Sequence, residues 1–173
     1  ILETAYQDFL RDIARSAFTG DVESSYASRL SMSTDNSIYQ QLPQAVVFPK
    51  CIEDLSLLGK TVAQHPVVKF SARGGGTGTN GQSLTSGIIV DVSRHMNQVL
   101  EVNAEQGWAR VQAGVVKDQL NDVLRPLGFF FAPDLSTSNR ATIGGMISTD
   151  ASGQGSLVYG KTSDHVLELS SVL

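Results

Sequence analysis

The sequence predicts an α+β fold made of a small βαβ lobe and a larger lobe that has a mainly antiparallel sheet and flanking helices. Apolar runs at 45–48 and 67–70 flank a helical pattern at 51–64, an order typical of two parallel strands joined by a right-handed crossover. Short apolar runs at 99–103 and 109–113 lie on either side of a turn, which is typical of an antiparallel hairpin. The two patterns follow each other along the chain, so we expect two lobes.

The N-terminal stretch is predicted to be helical. Residues 2–17 place apolar side chains at the i, i+3, i+4 and i+7 positions of an amphipathic helix, and a second short helix is predicted at 22–30. We take residues 1–36 as a helical lead-in and residues 37–173 as the domain that follows. The last apolar run, 166–173, is predicted to be a closing strand, and because no turn or cap follows it we expect the domain to be truncated.

The remaining elements are assigned to the larger lobe. We expect a strand at 87–92, a helix at 115–124, a strand at 129–132 and a short helix at 142–149. The longest apolar stretches have the length of a strand, so the sequence predicts no transmembrane segment.

Composition and charge exclude several classes of function. A formal net charge of −4 argues against the basic surface that nucleic-acid binding requires. A single cysteine, Cys51, excludes an internal disulfide framework, and it favours a reducing, cytoplasmic location. His65, His95 and His165 are too scattered to have metal-ligand spacing, so we expect no metal in this chain.

A glycine-rich stretch, RGGGTGTNGQS at 73–83, follows the second strand of the predicted βαβ unit, at the strand end where α/β sheets place their ligands. Gly76, Gly78 and Gly81 satisfy the pattern G-x-G-x-x-G, but a β-branched run follows where a dinucleotide-binding turn needs a helix. A phosphate-binding P-loop is also excluded, because Gln82 stands where that motif needs lysine.

Two interpretations of this loop remain. The bland one is a mobile linker between the lobes. The other is a nest of backbone N–H groups that binds anionic oxygens, to which Arg73 adds a positive charge and Thr77, Thr79 and Ser83 add hydroxyl donors. We favour a pyrophosphate site formed by a loop between the lobes.

A second stretch rich in Gly, Ser and Thr, PDLSTSNRATIGGMISTDASG, covers residues 133–153. Gly144 and Gly145 fall early in its predicted helix, where each glycine costs about 1 kcal/mol relative to alanine. The pair indicates a flat, bulky ligand against the backbone, and close packing of the helix on a strand is the alternative. Together the two stretches favour one long ligand that spans both lobes.

These two stretches, together with YGKTSDHVLEL, resemble the PCMH-type FAD-binding domain of the FAD-linked oxidases, also called the vanillyl-alcohol oxidase type. Glycolate oxidase and the D-lactate and D-2-hydroxyglutarate dehydrogenases are members, and the similarity runs from about residue 33 to residue 173. The phrases SYASRL, STDNSIYQ and SRHM are similar to the large bacterial YdiJ-type oxidoreductases, in which an iron–sulfur half follows the FAD-linked oxidase half.

The resemblance implies a set of residues that bind FAD. The glycine-rich loop would hold the pyrophosphate, and the second stretch would line the ribityl chain and the flavin ring, with the strand near residue 166 on the adenine side. The implied cofactor-binding residues are Arg73, Gly74, Gly75, Gly76, Thr77, Gly78, Thr79, Asn80, Gln82, Ser83, Pro133, Thr142, Gly144, Gly145, Thr149, Ser152, Gly153 and Val166. Relatives that attach FAD covalently through this loop carry histidine where this chain has Thr77, so we predict non-covalent FAD.

The resemblance also implies an oxidoreductase that oxidises a D-2-hydroxy acid of the 2-hydroxyglutarate, lactate or glycolate class. Hydride would pass to flavin N5, and electrons would then leave to an unidentified acceptor. An iron–sulfur cluster in a C-terminal part beyond this chain is one expected route for these electrons. We name no catalytic residue, since those groups are expected beyond residue 173, and we expect the fragment alone to be inactive. Alternatives are a UDP-sugar enolpyruvyl reductase, the flavin subunit of a molybdenum hydroxylase, or a non-catalytic nucleotide-binding module.

Asp150 departs from the family pattern, because many relatives read TNAGG where this chain reads TDASG. An ionised Asp150 beside the flavin would oppose the anionic reduced ring. The alternative is that Asp150 points away and caps a turn. Peripheral association with the inner membrane and homo-oligomerisation are left open by the sequence.

Overall fold

Two sheets organise the fold of residues 2–172, which the computed structural model describes. The first sheet has four strands in the order β1-β2-β4-β3, and β2 and β3 both run parallel to β4, which lies between them. Its strands are β1 (Asp21–Glu23), β2 (Ala45–Phe48), β3 (Phe70–Arg73) and β4 (Ile88–Asp91). All residues of β2 and β4 are buried, as expected of central parallel strands covered on both faces.

Helices cover this sheet and form the first core. Helix α1 (Thr4–Arg15) lies against α3 (Ile52–Val62), and its apolar stripe buries Tyr6, Phe9 and Ile13. Full burial of each such side chain contributes about 1.5–3 kcal/mol to folding. The helices predicted at 2–17 and 51–64 are confirmed with shorter ends.

The prediction of a helix over the whole of 22–30 was wrong at its start. Residues 21–23 form β1, which pairs antiparallel with β2 and occupies the free edge of that buried strand. Helix α2 (Tyr26–Ser31) begins only after Ser25, whose side chain accepts a hydrogen bond from the backbone N–H of Ser28 at 3.2 Å.

The assignment of the strand at 87–92 to the larger lobe was also wrong. It is β4, the central strand of the first sheet, because Ile88, Ile89 and Val90 are apolar on both faces and pair with β2 on one side and β3 on the other. The glycine-rich loop therefore joins β3 to β4 within one lobe. It packs against the second lobe but does not lead into it along the chain.

The second lobe is built on the antiparallel hairpin of β5 (Val99–Asn103) and β6 (Trp108–Val111), which confirms the predicted hairpin. Helices α4 (Lys117–Leu124), α5 (Ile143–Ser148) and α6 (Ser156–Tyr159) complete it. Its core consists of Val115, Leu120, Leu124, Ala141, Ile143 and Met146. Short 3₁₀ turns follow at Arg125–Leu127 and Thr162–His165.

Two predicted strands of this lobe are not strands in the described residues. Residues 129–132 have no regular secondary structure, and the N–H of Phe131 donates to Asn121 Oδ1 at 2.7 Å instead of to a neighbouring strand. At 166–172 the chain has no strand partner, and Leu167 and Leu169 are exposed. The last residue of that prediction lies outside the described residues.

The arrangement of helices and sheets belongs to the predicted α+β class. Within residues 2–172 no helix combines the length and the apolar composition that crossing a bilayer requires.

Candidate functional site

A cleft of about 510 Å³ lies where the glycine-rich loop faces the second stretch rich in Gly, Ser and Thr. This volume is in the range of small-molecule and cofactor sites. The cleft is lined by Asn36, Thr77, Thr79, Asp134, Leu135, Ser136, Thr137, Ser152, Gly153 and Gln154. The two stretches are far apart in the sequence, so their convergence supports a common ligand.

The loop presents a row of free backbone donors. Within residues 2–172, the N–H groups of Gly74–Thr79 donate no hydrogen bond, and the next N–H, that of Asn80, donates to Gln82 Oε1 at 3.0 Å. Backbone N–H groups need partners, and a concave run of them binds anionic oxygens. Gly76, with φ of +63°, supplies the left-handed residue that turns such a run on itself.

Close packing against the second lobe requires the first two glycines of the loop. A Cβ atom on Gly74 would lie 2.1 Å from Thr142 Oγ1, and one on Gly75 would lie 2.1 Å from the carbonyl oxygen of Arg140. The loop backbone therefore rests directly on the chain that leads into α5. These contacts bring the predicted residues Gly74, Gly75 and Thr142 together.

The two glycines of α5 have different surroundings. A Cβ atom on Gly144 would lie 2.8 Å from Ala113 Cβ and 3.0 Å from the Ala113 carbonyl oxygen, so close packing explains Gly144. Gly145 is exposed, and its added Cβ would contact only Thr142 Oγ1, at 3.2 Å. Gly145 thus has an exposed backbone, whereas Gly144 is required for packing on Ala113.

Several predicted residues use their side chains within the protein. Arg73 donates to the carbonyl oxygens of Met32 and Thr34, at 3.3 and 2.9 Å. Thr149 Oγ1 donates to the carbonyl oxygen of Gly145 at 3.1 Å. Four predicted residues line the cleft: Thr77, Thr79, Ser152 and Gly153. The predicted residues that do not line it are Arg73, Gly74, Gly75, Gly76, Gly78, Asn80, Gln82, Ser83, Pro133, Thr142, Gly144, Gly145, Thr149 and Val166. Their roles as ligand contacts stay predictions.

The sequence-based site missed Asn36, the segment 134–137 and Gln154. Asn36 lines the cleft and donates its N–H to the carbonyl oxygen of Gly76 at 3.0 Å, although it falls in the predicted lead-in. The signal was present, because Asn36 belongs to the STDNSIYQ phrase on which the resemblance rests.

Asp134 is the one ionisable side chain among the residues that line the cleft in residues 2–172. Its Oδ1 lies 3.4 Å from Nζ of Lys117, whose side chain is only 7% exposed. The lining residues can hold and orient a ligand through hydroxyl, amide and backbone groups, and the one carboxylate is already paired with Lys117.

Asp150 points away from the cleft into a turn. Its Oδ2 accepts a hydrogen bond from Lys161 Nζ at 2.6 Å, and its Oδ1 accepts one from the backbone N–H of Ser163 at 3.0 Å. These bonds, that from Lys161 first, lower the pKa of Asp150 to about 2. Its φ of +46° is a left-handed conformation that Asp adopts more readily than most residues. The turn-capping alternative thus describes Asp150 correctly.

Comparisons with known proteins agree with this geometry. A family model described as "FAD binding domain" matches residues 43–173. The D-2-hydroxyglutarate dehydrogenase of Escherichia coli is 64% identical over 168 residues, which are 96% of this chain and 16% of that protein. The glycolate oxidase subunit GlcD of Bacillus subtilis is 36% identical over 153 residues, 87% of this chain and 32% of that protein. This chain thus spans less than a third of the length of either relative.

The fold itself is shared with solved structures. An alkyldihydroxyacetonephosphate synthase superposes with a TM-score of 0.81 at 22% identity, over 94% of this chain and 32% of that one. At this identity the likeness concerns the fold alone.

Proposed function

Because this chain belongs to the FAD-binding domain family of the FAD-linked oxidases, we propose that it is the FAD-binding part of a dehydrogenase that oxidises a D-2-hydroxy acid. The curated relatives that are 61–66% identical bear the name D-2-hydroxyglutarate dehydrogenase, which favours 2-hydroxyglutarate over lactate or glycolate. This chain covers only 16–17% of their length, so the activity belongs to the whole protein.

The observation that carries this proposal is the row of backbone N–H groups at 74–79 that donate no hydrogen bond within residues 2–172. A pyrophosphate has anionic oxygens that match such donors without any basic side chain. The cleft beside the row extends to Ser152 and Gly153, which leaves room for the rest of an elongated dinucleotide. The residues present therefore fit FAD.

The predicted residues have these roles in this proposal. The loop from Gly74 to Thr79 holds the pyrophosphate, Gly145 lets the backbone approach the ribityl chain and the ring, and Val166 lies toward the adenine. Gly153 lines the cleft, and it has to be glycine for packing, because a Cβ atom there would overlap the carbonyl oxygen of Asp134. When bound, FAD supplies the hydride acceptor for the hydroxyl-bearing carbon of the substrate, while the protein binds and orients the ring. Thr77 lacks the imidazole through which some relatives attach FAD, so the proposed binding of FAD is non-covalent.

The rest of the machinery belongs to the protein outside this chain. This chain covers only 16–17% of its D-2-hydroxyglutarate dehydrogenase relatives, so the groups that bind the substrate carboxylate and take its hydroxyl proton come from the rest of the protein. An iron–sulfur cluster that passes electrons to the acceptor would lie there as well. Cytoplasmic location, peripheral association with the inner membrane, and homo-oligomerisation are parts of the proposal that concern the whole protein.

The test is anaerobic reduction of the full-length protein in its flavin-loaded form. D-2-hydroxyglutarate is expected to bleach the visible flavin absorbance, with D-lactate, glycolate and L-2-hydroxyglutarate as comparisons. Faster bleaching by D-lactate or glycolate would correct the substrate. A flavin that is reduced by dithionite but by none of the hydroxy acids would refute the dehydrogenase and leave an FAD protein of another activity.

A further inference from the structure

Hydrogen bonds connect the glycine-rich loop to the lead-in segment at both ends and in the middle. Arg73, the first residue of the loop, donates to the carbonyl oxygens of Met32 and Thr34, and the N–H of Asn36 donates to the carbonyl oxygen of Gly76. At the far end, Ser83 Oγ donates to Asp35 Oδ2 at 2.9 Å. One short stretch of chain, 32–36, thus makes hydrogen bonds to three places in the loop.

That stretch is itself held in place. A β-bridge joins Thr34 to Gln40, and the N–H of Gln41 donates to the carbonyl oxygen of Ser33, whose side chain is fully buried. Residues 33–41 therefore form a closed hairpin-like turn beside the loop. A fixed neighbour is what a glycine-rich loop needs, because its own residues lose the most conformational entropy on ordering.

Asp35 joins the two segments through both of its carboxylate oxygens. Its Oδ1 accepts the N–H of Ser37 at 2.8 Å while its Oδ2 holds Ser83, which is only 8% exposed. Burial raises the pKa of Asp35, but the bonds from Ser37 and Ser83 and the charge of Arg73 outweigh it and lower the pKa. An acidic group beside an anion site is unfavourable unless it serves the shape of the site.

We propose that Asp35 is a positioning residue for the cofactor: together with Ser83 and Arg73 it holds the free N–H groups of the loop in the conformation that receives the pyrophosphate. None of the three needs to contact the ligand. Arg73 in particular is occupied, since its guanidinium donates to two carbonyl oxygens and would lie 2.6 Å from a Cβ atom on Gly76. This inference rests on the proposed function of the loop.

It follows that the cofactor site begins before the predicted domain boundary at 36/37. Asp35 lies in the stretch that the sequence assigned to the lead-in, yet its bond to Ser83 spans 48 residues of sequence. A shortened protein that starts at residue 37 would lose these hydrogen bonds between the lead-in and the loop.

The experiment compares the affinities of full-length Asp35→Ala, Asp35→Asn and Ser83→Ala for FAD and for ADP, which has the pyrophosphate but no flavin. Asp35→Ala is expected to weaken both ligands about tenfold or more, since it removes hydrogen bonds to a charged group. Asp35→Asn is expected to stay within about threefold, because its amide can accept from Ser37 and donate to Ser83 Oγ. Asp122→Ala, at an exposed pair with Arg125, is the matched control.

Coupling between the two residues distinguishes positioning from a general structural role. The double variant Asp35→Ala/Ser83→Ala is expected to bind FAD no more weakly than Asp35→Ala, since the two residues act through one bond. Additive losses, or unchanged binding by Asp35→Ala, would overturn the inference, and so would an Asn variant as weak as Ala. Failure of the wild-type protein to bind FAD would instead overturn the proposed function, and this inference with it.

Discussion

The backbone of Gly75 lies so close to Arg140 that a Cβ atom on Gly75 would be 2.1 Å from the Arg140 carbonyl oxygen. This contact joins the glycine-rich loop to the segment that leads into α5. Side-chain bulk at this position must move one of two backbones. The glycine is required by contact between the lobes as well as by the conformation of the loop.

Gly75→Ala is therefore expected to weaken FAD binding by tenfold or more, about 1.4 kcal/mol. The added methyl group pushes the loop away from Arg140 and disturbs the row of N–H donors. Titration of the apoprotein with FAD, followed by flavin fluorescence, measures the effect. Gly59→Ala is the matched control, since its Cβ meets only a side-chain methyl of Val172 and α3 gains helix propensity. Equal affinity of the two variants would contradict the pyrophosphate assignment.

The glycine pair of α5 gives a prediction in which stability and binding separate. Gly144→Ala is expected to destabilise the apoprotein by about 1–3 kcal/mol, because its methyl group overpacks against Ala113. Gly145→Ala is expected to stabilise the apoprotein by up to about 1 kcal/mol through helix propensity and to weaken FAD binding. Denaturant unfolding and FAD titration of both variants provide the measurements. A Gly145→Ala protein that binds FAD normally would show that the ligand does not approach this helix.

Asp150 gives a prediction about acid stability. Its folded pKa of about 2 lies below the usual 3.8, so its bonds stabilise the fold fully above about pH 4 and lose that effect as the pH falls toward 2. Asp150→Asn keeps a residue that tolerates φ of +46° and removes the charge. Its melting temperature is expected to lie below that of the wild type at neutral pH, with the difference vanishing between about pH 4 and pH 2.

Melting curves across that pH range, with Asp122→Asn as the control, test this expectation. Asp122 pairs with Arg125 on the surface at 3.1 Å and accepts no backbone N–H from residues 2–172, so little change is expected there. A difference between wild type and Asp150→Asn that persists unchanged at pH 2 would show that the charge is not responsible.

Thr77 gives a prediction about how the cofactor is attached. With no histidine at this position, acid precipitation of the flavin-loaded protein is expected to release all of the flavin into the supernatant. Flavin that stays with the precipitated protein would contradict non-covalent binding. Thr77→Ala is expected to release its flavin in the same way, since the backbone N–H of residue 77 is the proposed donor.

Much of this site was predictable because glycine and strand patterns are local. The strand ending at Arg73 and the glycines after it predicted a nest, and the stretch 133–153, rich in Gly, Ser and Thr, predicted the second wall of the cleft. For the glycine pair at 144–145, the sequence favoured a ligand against the pair and kept close packing of the helix as the alternative. Only the distance to Ala113 showed that one glycine serves packing and the other faces outward.

The features that were missed depend on long-range partners. Residues 21–23 form a strand because the edge of β2 is free, and nothing in their local pattern indicates it. The run at 129–132 is apolar like a strand, yet the side chain of Asn121 takes its backbone bonds. Asp35 and Asn36 were placed in the lead-in although they belong to the phrase STDNSIYQ, because their local pattern does not show that this polar turn folds against the distant glycine-rich loop.

The most direct test of the central claim is the flavin content of the full-length protein, determined from its visible spectrum after purification and dialysis against FAD. We expect a yellow protein that holds FAD in an equimolar amount and loses it when ADP is added in excess. A colourless protein that gains no flavin absorbance from added FAD would show that the chain is not an FAD-binding domain.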